Sequence, residues 1–463
     1  MKRCPECRRD YYDDTLLYCL DDGNQLLYGP NGQEARTELF RDSDIRDDEK
    51  VIGGIWAPPA SAKKGSFWIA VLPFKYSGSS IEIKDLAEGL AEEIVTGLLR
   101  FSYLRVFARD LSTNFDSRTS DIREVGRLND VSYVLTGSLR ESGTRLRVIL
   151  KLVETMTGSH LWGETYDYSL ERDNVFGIQE KLVPRVVSTV ADQYGALVHS
   201  MSESIRDLDA DRLSPHEAML RAFGYQERAT PDEHKKVRRA LERALDSAPS
   251  HSNCLAMLSV LYWHEYAYGY NAEPESLKRA LSAAQRSIAS APTNHLAYGV
   301  LATVLFLQKD FGASRQAVER SLQLNPMDAS TTAFLGILIA YAGDWEFGLE
   351  LTNRAIELNP HHPGWYYFPA FYNAYRERDY KSAVAIGLQI NMPGYFATYS
   401  TLAAVYGQLG DEKRASASLQ ELNNLMPNFA SEARSIYSKW LDAELTEHLL
   451  EGLRKAGMKI DTN

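Results

Sequence analysis

Beyond about residue 215 the apolar positions recur at helical spacing, and each apolar run ends in a dipeptide that closes on proline: Ala248-Pro249, Ala291-Pro292, Asn325-Pro326, Asn359-Pro360, Met392-Pro393 and Met426-Pro427. Proline lacks the N–H for the next helical hydrogen bond and clashes with the preceding turn, so it stops the helix it follows. The steps between these prolines are 43, 34, 34, 33 and 34 residues. Such a period predicts helical hairpins stacked in line, because no single hairpin hides its own apolar face. Six units are expected, at 215–249, 250–292, 293–326, 327–360, 361–393 and 394–427, with capping helices within 428–460 around Glu432 to Leu441 and Glu447 to Lys455. The long step holds an insertion, Tyr268-Gly-Tyr-Asn-Ala-Glu-Pro274. It reads either as a recognition loop on one edge of the stack or as a segment packed over helix ends.

Residues 66–200 follow another rhythm. Phe67-Trp-Ile-Ala-Val-Leu-Pro-Phe74 is a short apolar run that predicts a buried strand, and Leu86, Leu90, Ile94 and Leu98 then recur at helical spacing. A short strand at Leu104 to Phe107 and a helix from Asp121 to Asn129 come next, followed by strands at Val131 to Leu139, Arg145 to Val153 and Leu161 to Tyr168. In the second of these, Leu146, Val148, Leu150 and Leu152 alternate with polar positions, which marks a half-exposed antiparallel strand. One helix from Val175 to Leu197 is expected to close the unit, with Ile178, Leu182, Val186 and Val190 along one stripe.

The 34-residue period, with small residues such as Gly336, Ala302 and Ala403 where paired helices must approach closely, resembles the tetratricopeptide repeat. Ile69-Ala-Val-Leu-Pro-Phe74, Leu86-Ala-Glu-Gly-Leu-Ala-Glu-Glu-Ile94, Tyr133-Val-Leu-Thr-Gly-Ser138, Gly158-Ser-His-Leu-Trp-Gly-Glu164 and Val175-Phe-Gly-Ile-Gln-Glu180 resemble a TolB-like amino-terminal domain. The implied fold is multidomain: an α/β TolB-like domain followed by an all-α tetratricopeptide-repeat superhelix. In known families that pair accompanies an output module, notably in bacterial class III adenylate or guanylate cyclases and in winged-helix transcription regulators. No output module is visible here, and the 65 residues upstream are too few for a cyclase domain.

The repeat family also implies which positions face the concave surface: Asn253, Ala256, Val260 and Trp263; Leu296, Gly299, Thr303 and Phe306; Ser330, Ala333, Ile337 and Ala340; Trp365, Phe368, Tyr372 and Tyr375. This surface is apolar and aromatic, without the cationic set that clamps a carboxylate terminus. Large rigid rings give contact area at low entropic cost, so Trp263, Phe306, Trp365, Phe368, Tyr372 and Tyr375 are the expected partner-binding residues for a protein or peptide. Internal packing of the same rings is the competing account.

Charge and cysteine usage narrow the class. The net charge of -11 argues against a nucleic-acid or anionic-membrane partner, and no apolar run is long enough for a membrane span or a signal core, so a cytoplasmic location is expected. Cys4-Pro-Glu-Cys7 and Cys19-Leu-Asp-Asp22 resemble a small bacterial zinc ribbon; the set Cys4, Cys7, Cys19 and Asp22 then implies structural zinc, with Asp22 where a cysteine is common. Residues 1–28 would form this segment and 29–65 a linker, with seven acidic and four basic residues between Glu34 and Lys50. Cys254 reads as a buried small hydrophobe. No phosphate loop or nucleophile elbow occurs, and His264-Glu265-Tyr-Ala-Tyr268 lacks the second histidine of a metalloprotease helix. His160, Trp162 and Glu164, and Arg109 with Asp110, read as satisfied strand-end polar groups. No enzymatic function is therefore expected. The sequence suggests a signalling scaffold or adaptor that docks a protein or peptide, with small-molecule sensing on behalf of a separately encoded cyclase, kinase or transcription regulator as the alternative. Self-association stays open.

Overall fold

The computed structural model describes residues 67–107, 121–228 and 230–460, together with the two-residue strands β1 (Lys2–Arg3), β2 (Asp10–Tyr11) and β3 (Leu27–Tyr28). The chain divides into two units, Met1–Ser66 and Phe67–Asn463. In the first, β1 pairs antiparallel with both β2 and β3. The four proposed zinc ligands, the charged segment Glu34 to Lys50, and Arg109 with Asp110 lie outside the described residues.

The second unit opens with a mixed sheet. Its strands are β4 (Trp68–Val71), β5 (Lys75–Ser77), β6 (Arg105–Val106), β7 (Tyr133–Ser142), β8 (Arg145–Glu154) and β9 (His160–Ser169), in the order β6-β4-β7-β8-β9, with β5 also paired to β7. β4 runs parallel to β6 and β7, whereas β7, β8 and β9 form an antiparallel meander. Burial alternates along β8 because period two sends Leu146, Val148, Leu150 and Leu152 to the core. Helix α1 (Ile81–Leu98) is capped by the Ser80 hydroxyl and packs against α3 (Val175–Ala191), Gly97 facing Val187; α2 is Ile122–Asn129.

The single closing helix expected from Val175 to Leu197 is two helices. α3 ends at Ala191, Asp192 turns to extended backbone (ψ 155°), and α4 (Ala196–Ser204) starts afresh. The break occurs because both Asp192 carboxylate oxygens are committed to backbone N–H groups, Oδ1 to Tyr194 at 2.8 Å and Oδ2 to Ser330 at 2.6 Å. The apolar stripe continues past the break into Leu197, which is why periodicity alone reads straight through it.

Fourteen helices follow in antiparallel pairs: α5 (Pro215–Arg228), α6 (Pro231–Ser247), α7 (Ser252–Tyr268), α8 (Ser276–Ser290), α9 (His295–Leu307), α10 (Phe311–Leu324), α11 (Ala329–Tyr341), α12 (Trp345–Leu358), α13 (Phe368–Arg376), α14 (Tyr380–Ile390), α15 (Phe396–Leu409), α16 (Glu412–Leu425), α17 (Phe429–Trp440) and α18 (Ala443–Lys455). Asp310, Asp344, Asp379 and Asp411 each cap the N-terminus of a second hairpin helix. Close pairing of α11 with α12 depends on Gly336 and Gly348. A β-carbon on Gly336 would meet the Gly348 carbonyl at 2.8 Å, and one on Gly348 would meet the Gly336 carbonyl at 2.6 Å.

One cluster of buried apolar side chains extends from Phe67 in the sheet domain to Leu351 in α12, so sheet and early hairpins share a core. The turn after α1 inserts Phe101 and Tyr103, each 1% exposed, between the repeats: Phe101 meets His295 edge-on, Tyr103 meets Phe223, and the Tyr103 hydroxyl donates to Ala191 O at 2.8 Å. Burial of two such rings stabilises the junction by about 3–6 kcal/mol at ~1.5–3 kcal/mol each. Polar bonds specify it: Ser102 Oγ donates to Asn253 Oδ1 at 2.9 Å, and Asn253 Nδ2 donates back to Ser102 O at 3.2 Å. A second core, from Phe368 to Met458, holds the last hairpins and α18.

Candidate functional site

The helical array curls until its end meets its own second and third hairpins. Trp440, the last residue of α17, lies edge-on to Trp263 of α7 (5.7 Å between centroids) and stacks on Phe306 of α9 (6.0 Å, 26°). Two lysines clasp the contact. Lys439 Nζ donates to Tyr266 O and Ala267 O at 2.9 and 3.2 Å, at the C-terminus of α7, while Lys309 Nζ donates to Ser438 O and Lys439 O at 3.1 and 3.0 Å, at the C-terminus of α17. Each ammonium sits at the negative end of the opposite helix, where unpaired carbonyls collect.

The curl shapes a half-open chamber of ≈ 960 Å³. Its walls come from the first helices of the hairpins, the Gln193-Tyr194 turn after α3, the insertion after α7, the segment from Met392 to Ala397, and α17. Aromatic side chains recur through them in two groups. Trp263 stacks on Phe334 (6.1 Å, 28°), Phe334 meets Trp365 edge-on (6.2 Å), Trp365 lies 6.1 Å from Tyr194, and Phe368 stacks on Tyr372 (6.1 Å, 18°).

Among the described residues, none of the lining side chains is an aspartate, glutamate, lysine or arginine. His264 adds no charge either. Burial, reinforced by neighbouring His234, pulls its imidazole down to about 3, and its Nδ1 lies 2.7 Å from the Tyr225 hydroxyl. Burial pushes the Tyr268, Tyr341 and Tyr372 hydroxyls well above their usual range, so they stay neutral. Charged groups of the described residues stand in the shell outside: the Glu265 carboxylate, fully buried, is held by Arg238 at 2.9 Å and by Arg279, and Arg238 also reaches Glu273 at 2.7 Å, which pins the insertion to α6 and α8.

Of the six residues expected to bind a partner, Trp263, Trp365, Phe368 and Tyr372 line the chamber. Phe306 is fully buried beneath Trp440. Tyr375 is turned away into the contact with α18, its hydroxyl donating to His448 O at 3.0 Å. Both therefore differ from the exposed groove positions that repeat geometry implies. Among the other inward positions, Asn253 bonds the sheet domain, Ser330 bonds Asp192 through its backbone N–H while also lining the chamber, and Ala340 packs on Gly348. Sequence reasoning missed Tyr194, Phe334, Tyr395 and Trp440; only the density of aromatics around them was a signal. The insertion does pack over helix ends, and its Tyr268 and Tyr270 also supply chamber wall.

Elsewhere, Glu164 accepts from Arg185 and from the Tyr166 hydroxyl, both at 2.8 Å, as a satisfied polar group. Among the described residues no group of three or more His, Cys, Asp or Glu side chains could hold a metal ion, and no helix is long and apolar enough to cross a membrane.

Residues 65–185 match the family described as "HilA/YgeH-like transcriptional regulator, second domain". The chain is 32% identical over 204 residues to "Putative adenylate cyclase 3" of Rhizobium meliloti (strain 1021), a stretch that covers 44% of this chain and 34% of that protein. It thus spans about a third of the length of this curated relative. Among solved structures it is similar to a tetratricopeptide repeat protein from Parabacteroides merdae (TM-score 0.32, 14% identity, 52% of this chain and 98% of that one) and to TolB from Acinetobacter baumannii (TM-score 0.20, 16% identity, 29% and 28%). At such scores neither likeness bears on function. The chain has a two-part architecture, a mixed β-sheet domain followed by a repeat-like helical region, with weak and distant similarity to TolB-like and cyclase-associated regulatory sequences.

Proposed function

We propose that this chain is a non-enzymatic regulatory module: the repeat ring receives a guest in its aromatic chamber, and the body made of ring and sheet domain presents that state to a separately encoded cyclase, kinase or transcription regulator. The observation that carries this reading is the contact of Trp440, Lys439 and Lys309 across the array, which narrows a concave docking surface into a half-open cavity. A concave cavity of ≈ 960 Å³ lies within the range that small-molecule sites occupy, whereas stable protein partners need broad faces. Coupling to the sheet domain has a physical route, since Tyr194 touches Trp365 of the chamber and adjoins Asp192, which bonds Ser330. The similarity to a transcription-regulator domain and to a putative cyclase supports a signalling setting, for which a cytoplasmic location is proposed. A structural zinc held by Cys4, Cys7, Cys19 and Asp22 is proposed for the amino-terminal segment.

Native mass spectrometry of the chain purified from its own host tests the reading. The expected result is a bound small molecule that survives purification and is lost on unfolding. A chain at its bare mass, joined stoichiometrically to a protein through the Trp365 and Tyr372 face, would replace the sensing reading with docking along the groove.

A further inference from the structure

Resting on that reading, we infer that the chamber is a binding site for a neutral, ring-bearing apolar small molecule with at least one hydrogen-bonding group. The described lining residues include no charged side chain, although 24% of the chain is charged. A charged guest would shed its water and meet no counter-charge, and an extended peptide would leave most of its backbone amides unpaired against apolar walls. The space of ≈ 960 Å³ falls at the upper end of the range that small-molecule sites occupy. Flat surfaces are provided by the stacked pairs Trp263 with Phe334 and Phe368 with Tyr372, whose rings favour offset or edge-on contact with another ring. Among the polar groups in the lining, a pair of side-chain amides offers a handle. The side-chain amides of Gln193 and Gln226 bond each other at 3.3 Å, and between them they retain donors and acceptors beyond that bond. Because Gln193 belongs to the turn between α3 and α4, a guest bonded there would touch the segment that ties the sheet domain to the ring.

The test uses two dyes on the full chain: N-phenyl-1-naphthylamine, which is neutral, and 8-anilinonaphthalene-1-sulfonate, which has the same ring system plus a sulfonate. The neutral dye should bind at one per chain, quench tryptophan emission through Trp263, Trp365 and Trp440, and bind at least tenfold more tightly than the sulfonate. Phe334→Asp should weaken the neutral dye at least tenfold, with Phe334→Leu retaining most of it. Energy transfer from tryptophan in the unmodified chain reports on the site even if the aspartate variant does not fold. Equal or tighter binding of the sulfonate, displacement of the neutral dye by tetramethylammonium, or absence of energy transfer would overturn the inference. A charged guest in the native mass spectrum would overturn this inference while leaving the regulatory reading standing; a bare chain would remove the regulatory reading itself.

Discussion

The carboxylate of Asp192 and the backbone N–H of Ser330 meet at 2.6 Å in a fully buried junction, joining the end of α3 to the start of α11 across 138 residues of chain. Asp328 lies beside them, its Oδ2 2.8 Å from His295 Nε2 and its Oδ1 accepting from Ser330 Oγ and Thr331 N. Two carboxyls thus share one buried site. Burial, followed by the negative charge of Asp328, raises the Asp192 carboxyl to about 7.

Asp192→Asn tests this junction directly. The amide places an N–H₂ opposite a backbone N–H, so a buried donor loses its acceptor, and stability should fall by about 1–3 kcal/mol. Urea unfolding at pH 8, where the folded-state carboxyl is ionised, measures it. The sign of the pH effect follows from the raised folded value: the native state holds the proton more tightly than the unfolded state, so this group's contribution weakens as pH rises from about 4 to about 7. The asparagine variant should lack that slope.

His264 has the opposite sign. Its folded value is pulled below the ordinary 6.5 by burial, so its contribution is complete above about 6.5 and is lost as pH falls toward 3. His264→Gln, which keeps a partner for the Tyr225 hydroxyl, should flatten the acid limb of melting temperature against pH between about 6 and 4. An unchanged limb would assign acid sensitivity to other groups.

Lys439→Met removes the ammonium from the α7 carbonyls while retaining its apolar stem. A loss of about 0.5–1.5 kcal/mol is expected, concentrated in α17. Hydrogen exchange followed by mass spectrometry should show faster exchange at 429–440 and at the C-terminus of α7, with the sheet domain unaffected.

α18 covers the last hairpin through a close crossing in which Gly407 of α15 faces Gly452; a β-carbon on either would strike the backbone of the other helix. Gly407→Val should therefore displace α18 and expose Leu445, Leu449 and Leu453, costing about 1–3 kcal/mol or more through overpacking. Size-exclusion chromatography should show self-association of the variant, because the uncovered face is apolar.

The zinc proposal predicts about one equivalent of metal per chain by elemental analysis, lost in Cys4→Ser with Cys7→Ser. Metal-free protein in which residues 1–28 are protected from proteolysis would overturn it.

Much of the secondary structure was legible because its signals are local. Helices α6, α8, α10, α12 and α16 each end two residues before a proline, and alternation along Arg145 to Val153 identified an antiparallel strand without reference to its neighbours. The candidate site was legible only in part. Trp263, Trp365, Phe368 and Tyr372 carried an aromatic signal on predicted inward faces, whereas Trp440 lay in a presumed cap and Tyr194 within what periodicity read as an uninterrupted helix.

What the sequence alone determined is the succession of elements: strands alternating at period two, then hairpins ended by proline at a near-constant interval. Closure of the array, the break at Asp192 and the aromatic chamber were decided only by the tertiary structure. The physical reason is range. Helix stops and strand faces depend on neighbours a few residues away, but ring closure sums small rotations from side-chain volumes at every hairpin contact. The pairing of Asp192 with Ser330, and of Trp440 with Trp263, unites residues that no local pattern connects.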